Sequence, residues 1–260
     1  PLVSAYVPEL DDRPLELRKG YAAQVLPFWP KVLGAGNVEV DADPAPTWAA
    51  FTAAGEPLSS GQAGVQAVDY LEGEISRLDV ELDASTWDYQ EDARVELTYW
   101  VGAARQFSVI RFSVVREPYV PGIGLNDLAD EFAEARLYCD RQAALLQGPL
   151  EDEEEPVITA EVVASIRAVK AWVDVWGWLR TRVREEGKLY PRLIVPRVKL
   201  EEVVRARACY RLFLADSPRE GERTHDLMVQ WEKIAQERFG ALGPFEYDSN
   251  DDGVADAVVE

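Results

Sequence analysis

The hydrophobic period of this chain changes near Pro121, and that change limits it to two kinds of structure in series. Before it, apolar residues tend to recur every second position in short runs broken by turns; after it, they recur at the spacing of helix turns. A strand-period run buries one face of a sheet and a helix-period run buries one stripe of a helix. The two halves therefore need separate packing solutions. With 260 residues, 47% of them hydrophobic, there is apolar material for more than one core. The expected class is α+β: an N-terminal immunoglobulin-like antiparallel β-sandwich, then a four-helix bundle-like domain, then an extended acidic C-terminal tail.

Residues 1–45 read as a proline-rich N-terminal arm. Pro8, Pro14, Pro27, Pro30, Pro44 and Pro46 break any long helix in and around it. Leu26-Pro27-Phe28-Trp29-Pro30 sets two large aromatics between prolines. Such an arm either packs across its own domain or reaches a neighbouring subunit.

Residues 46–120 read as the β-sandwich domain. Strands are expected at 47–53, 64–70, 74–82, 94–101 and 107–115, with a hairpin-like junction at Glu72-Gly73 and a turn at Gly102. The run Arg94-Val95-Glu96-Leu97-Thr98-Tyr99-Trp100-Val101 alternates cleanly. No Cys-Trp-Cys signature is present, so this is not an antibody-type domain.

Residues 121–243 read as the helical domain, with four helices. The first spans about 126–147, with Leu128, Phe132, Ala135, Cys139 and Leu146 on one face, and ends at Gly148-Pro149. The acidic run Glu151-Asp152-Glu153-Glu154-Glu155 then reads as a solvated surface loop. Thr159 can cap the second helix, whose stripe Val162, Ile166, Val169, Val173, Trp176 and Val183 leaves Trp172 and Trp178 for another face. That helix is either central or meets another subunit. The third carries Leu200, Val203, Val204, Ala208 and Leu212 inward; the fourth starts with the capping box Ser217-Pro218-Arg219-Glu220 and stops at Gly240.

Charge and side-chain chemistry exclude several functions. Lys and Arg number 27 against 47 Asp and Glu, a net charge of −20 that repels nucleic acid and anionic lipid at long range. No Lys/Arg cluster stands out in the sequence, and the apolar runs are too short for a membrane span. Pro1-Leu2-Val3-Ser4 lacks a signal-peptide layout and reads as a start exposed by Met removal. Cys139 and Cys209 fall in expected helices and read as buried free thiols rather than a disulfide. His225 is the single histidine, expected on an exposed first helical turn, which leaves little raw material for zinc or Ser-His-Asp chemistry. Gly122-Ile123-Gly124 is too short to cradle a phosphate. No catalytic residue is assigned, and a non-enzyme is expected.

The tail, residues 244–260, carries the one ligand-like spacing. Asp248, Asn250, Asp252, Gly253, Val254 and Asp256 match loop positions of an EF-hand-like calcium site, with alternate oxygens converging while glycine turns the backbone. Val259 stands where the bidentate Glu belongs. One reading is therefore a weak or shared Ca2+ site at Asp248, Asn250, Asp252, Val254 and Asp256, and otherwise no cofactor. The other is a flexible acidic tail that orders on a partner, with Phe245 and Tyr247 as anchors and Asp248, Asn250, Asp252, Gly253 and Asp256 as the partner-binding set.

Three segments together carry a resemblance: Ala206-Arg207-Ala208-Cys209-Tyr210-Arg211-Leu212-Phe213, then Trp231-Glu232-Lys233-Ile234-Ala235, then Tyr247-Asp248-Ser249-Asn250-Asp251-Asp252-Gly253. With them the chain resembles head–tail connector proteins of tailed bacteriophages, the adaptor or head-completion class. The residue 46–118 region also looks like immunoglobulin-type modules inserted in phage structural proteins. The long N-terminal β-region departs from the smallest adaptors, which are helical only.

The resemblance implies a structural virion protein that forms a homo-oligomeric ring, commonly a dodecamer. The ring would sit in the neck below the portal protein, contact tail or neck proteins and surround the DNA exit channel. Its implied location is the virion, with the host cytoplasm during assembly and no membrane. An acidic wall fits such a channel, because it does not grip passing DNA. Three alternatives remain: another neck or tail structural protein; an enzyme using paired carboxylates such as a glycosidase, although no Asp/Glu pair sits in a recognisable catalytic context; and a calcium-assisted carbohydrate-binding or adhesin-type module. Eight Trp favour the last.

Overall fold

The structure is a computed structural model that describes residues 14–32, 36–70, 73–147, 158–216, 222–252 and 254–259. The protein is α+β and divides into two compact units. The described part of the first is Pro14–Tyr119 with Leu189–Arg192; that of the second lies within Val120–Lys188 and Leu193–Glu260.

The first unit contains β1 (Glu16–Arg18), β2 (Gln24–Phe28), β3 (Lys31–Val32), β4 (Gly36–Asn37), β5 (Thr47–Phe51), β6 (Pro57–Gln62), β7 (Gly64–Tyr70), β8 (Gly73–Leu82), β9 (Gln90–Val101) and β10 (Ala104–Val115). A five-stranded sheet has the order β1-β10-β9-β5-β6, a three-stranded sheet the order β2-β8-β7, and β3 pairs with β4. One apolar core takes Leu26, Leu78, Val80 and Leu82 from the smaller sheet. It takes Trp48, Ala50, Val95, Leu97, Tyr99, Ile110, Phe112 and Val114 from the larger.

The alternation of β9 decides which side chains enter that core. Val95, Leu97 and Tyr99 are buried, while Arg94, Glu96, Thr98 and Trp100 are less covered. Gly102, at φ 55°, takes the left-handed conformation that the tight β9–β10 turn requires, and Ala104 then pairs with Val101. Only Ala63 separates β6 from β7, so the chain passes from one sheet to the other across a single residue.

The expected N-terminal arm contributes to these sheets. Leu17 of β1, Leu26 of β2 and Val40 all join the core. Pro27 is tolerated in β2 because β2 is an edge strand of its sheet, where one missing N–H need not break a ladder. β6, with the sequence PLSSGQ, has no hydrophobic alternation and was not expected as a strand.

The second unit contains α1 (Leu125–Glu131), α2 (Ala135–Gln147), α3 (Ala160–Glu185), α4 (Arg197–Leu214) and α5 (Arg223–Gly240). A small antiparallel sheet has the order β11-β12-β13, formed by Leu193–Ile194, Phe245–Tyr247 and Ala257–Val259. The expected first helix is two, α1 and α2. Phe132 leaves the helix (φ −143°, ψ 108°) and sets its ring edge-on to Phe213, 5.3 Å between centroids.

Helix α3 packs against α1, α2 and α4, and α4 against α5. Thr159 caps α3 by accepting a hydrogen bond from the Val162 N–H, as its sequence position suggested. Trp172 (1% exposed) and Val183 (0%) both lie inside, so α3 is central and buries more than one face. The Ser217–Glu220 capping box lies outside the described residues; α5 begins at Arg223, after Glu222. Gly240 is the last residue of α5, as expected.

Three sets of polar side chains inside this unit pair across its helices. Gln142 donates to the Leu212 carbonyl (2.7 Å) and to Asp216 (3.0 Å), and its Oε1 accepts from Arg167. Asp174 accepts from Arg207 Nε at 2.6 Å and from both Nε and Nη2 of Arg211. Glu131 forms a two-pronged pair with Arg238, at 3.0 and 2.8 Å.

Candidate functional site

The C-terminal segment differs from a free tail. Phe245 is fully buried and Tyr247 is 5% exposed, so these two expected anchors are occupied within their own unit, and Asp248 of the expected partner-binding set is fully buried as well. The physical reason is local. β12 is the middle strand of its sheet and turns both rings toward the end of α3. Arg182 lies 4.6 Å from the centre of the Phe245 ring, and Lys188 lies 5.2 Å from that of Tyr247. Lys188 Nζ also donates to the Val258 carbonyl (2.9 Å), which ties β13 to the unit. The two rings of the segment thus meet two cations that are distant from them in sequence.

Between β12 and β13 the chain makes an exposed loop. Its oxygens largely stitch the loop to itself. Asp248 accepts from the Asp251 N–H (2.7 Å), Asn250 from the Asp252 N–H (3.1 Å) and Asp252 from the Val254 N–H (2.8 Å). Asp256 accepts from both the backbone N–H and the hydroxyl of Ser249, and these bonds hold its carboxyl below the usual carboxylate range. Gly253 lies outside the described residues. Of the calcium-spaced set, Asp248 is buried while Asn250, Asp252, Val254 and Asp256 are exposed. Among the described residues, no group of three or more His, Cys, Asp or Glu is placed to hold a metal ion.

A second surface was not visible in the sequence. Alternation puts Arg105, Phe107, Val109 and Arg111 on one side of β10, and the β9 register sets Trp100, Thr98, Glu96 and Arg94 beside them. Phe51 of β5 lies opposite Arg94. Arg94 stacks over Phe51 (5.2 Å) and pairs with Glu96 (2.9 Å); Arg105 lies over Trp100 (5.9 Å). Phe107 is 62% exposed and Val109 47%. In a chain of net charge −20, one sheet face thus brings together three arginines and three aromatic rings, with Glu96 beside them.

The sulfur and imidazole groups are placed differently. Cys139 and Cys209 are buried free thiols, and burial pushes the Cys139 thiol up to about 12 and that of Cys209 higher still. His225 sits in the first turn of α5, with Asp226 3.9 Å away.

No known protein family, curated protein or solved structure matches this chain.

Proposed function

We propose that this protein is a structural virion component, a head–tail connector that forms a ring of identical subunits below the portal and around the DNA exit channel. On this reading the first unit is an immunoglobulin-type β-sandwich module and the second a variation on a four-helix connector bundle. It is not an enzyme and needs no cofactor. Its partners are the portal, tail or neck proteins and its own copies.

The observation that carries the reading is how the three resembling segments are arranged. Ala206–Phe213 lies in α4, with Ala206, Ala208, Cys209, Leu212 and Phe213 buried. Trp231–Ala235 lies in α5, which packs against α4. The chain then runs into the hairpin with the exposed acidic loop. A packed helix pair followed by an acidic extension is the organisation that the resemblance implies. Leu137 (67% exposed), Leu145 (70%) and Leu146 (42%) add apolar surface on α2 suited to contacts between subunits.

Negative-stain imaging of the purified chain, alone and with candidate portal and tail proteins, tests the proposal. Rings of identical subunits, or density docked on a portal ring, support it. The second reading is a carbohydrate-binding module, favoured by Trp100, Phe51 and Phe107 on one sheet face. Monomers that bind glycans in a calcium-dependent way would replace the connector reading with that one.

A further inference from the structure

We infer that the arginine–aromatic face and open edge of β10 form a docking surface for the acidic C-terminal hairpin of a second copy of this chain. The inference rests on charge, exposure and strand pairing and does not depend on the connector reading.

The acceptor surface has three properties. First, it is basic where the chain as a whole is acidic: Arg105 and Arg111 are exposed, and neither forms an ion pair with a described carboxylate. In a chain with 47 acidic residues, two cations on one strand without a carboxylate partner among the described residues are an unsatisfied electrostatic feature. Second, Phe107 and Val109 lie between those arginines and are 62% and 47% exposed. Third, β10 is paired along its length with β9, but its other side meets β1 only at Ser113–Val115. Among the described residues, the stretch 104–112 therefore presents an open row of backbone donors and acceptors, the kind of edge that accepts an added strand.

The hairpin complements each property. Glu246, Asp251, Asp252 and Asp256 are all exposed on it. Val254 (64% exposed) and Val258 (53%) put apolar surface beside the charge, and Glu246 pairs directly across from Val258. β13 is itself an edge strand. Opposite charges, exposed apolar side chains and open strand edges thus occur on two different surfaces of the same chain. A contact between different patches is heterologous, so it propagates from copy to copy and either closes or extends. At a net charge of −20, copies repel one another in bulk. A basic acceptor facing an acidic donor directs the encounter to one geometry.

The experiment is charge exchange in the full-length protein, read by sedimentation velocity at low and at ~0.5 M salt, beyond several screening lengths. The wild type is expected to self-associate at low salt and to dissociate at high salt. The face variant R105E/R111E and the hairpin variant E246K/D252K are each expected to be monomeric. An equimolar mixture of the two is expected to reassociate, because each then carries a surface matching the other. V258D, which leaves the loop hydrogen bonds intact, is expected to weaken association at least tenfold. A wild type that stays monomeric at all concentrations overturns the inference, as does association untouched by R105E/R111E. So does a mixture that fails to reassociate while each variant keeps the wild-type melting profile. Loss of association on removing residues 1–13, with E246K/D252K unaffected, assigns the edge to that segment instead. Binding of single-stranded DNA by the wild type, abolished by R105E/R111E, assigns the face to nucleic acid. Rings that persist in R105E/R111E refute this contact while leaving the connector reading standing.

Discussion

Replacing Phe245 by alanine separates a packed C-terminal segment from a free acidic tail. The ring is fully buried in the middle strand of the β11-β12-β13 sheet and lies 4.6 Å from the Arg182 guanidinium. Truncating a fully buried phenylalanine costs about 3–5 kcal/mol through lost transfer energy and the cavity left behind. For a unit of this size that corresponds to a fall in Tm of about 10–20 °C. The assay is thermal unfolding followed at 222 nm, which reports the helical unit, with near-ultraviolet dichroism for the aromatic core. The control is V254A in the exposed loop, expected to change stability by less than about 0.5 kcal/mol. If F245A melts within about 2 °C of the wild type, the segment is not packed and the burial argument is wrong.

Further expectations concern the interior. D174A leaves Arg207 and Arg211 without their shared carboxylate where side-chain exposures are 14%, 10% and 28%; it should cost about 3–4 kcal/mol in urea unfolding, and a change below about 1 kcal/mol would make this cluster dispensable. The Cys139 thiol is raised by burial from 9.0 to about 12, so the unfolded chain loses this proton first as pH rises. Its contribution to stability is therefore fully present below about pH 9 and is lost between about pH 9 and 12. The wild type should lose stability over that range more steeply than C139A, and Ellman's reagent should label neither cysteine at pH 8 before unfolding; rapid labelling of the folded protein would contradict this. G102V forces a branched side chain into a φ of 55° and should destabilise the β9–β10 hairpin by more than about 1 kcal/mol, read by chemical denaturation; a neutral result would mean the turn rearranges freely.

Where a local pattern agreed with its surroundings, the structure follows it. β9 alternates without interruption, and α3 has its cap, its acidic first turn and its apolar stripes in one run. Local patterns failed where distant residues decided the outcome. The prolines made residues 1–45 read as an arm, yet at an edge position next to β8 Pro27 is accommodated within a strand. Phe132 kept its helical spacing in the sequence, but Phe213, far along the chain, draws its ring out of the helix. The C-terminal segment read as a free tail because Arg182 and Lys188, which cover its two rings, belong to other segments. The arginine face was illegible for the same reason. Arg94, Arg105 and Arg111 are scattered along the chain and meet only through the register that sets Arg111 against Arg94 and Arg105 against Trp100.

The connector proposal stands or falls most directly on particle images of the protein as it assembles. We expect class averages of the full-length chain, alone or with a portal, to show closed rings of identical subunits whose mass is an integer multiple of 29.1 kDa. Single 29.1 kDa particles under every condition, with no density added to a portal ring, would contradict the account.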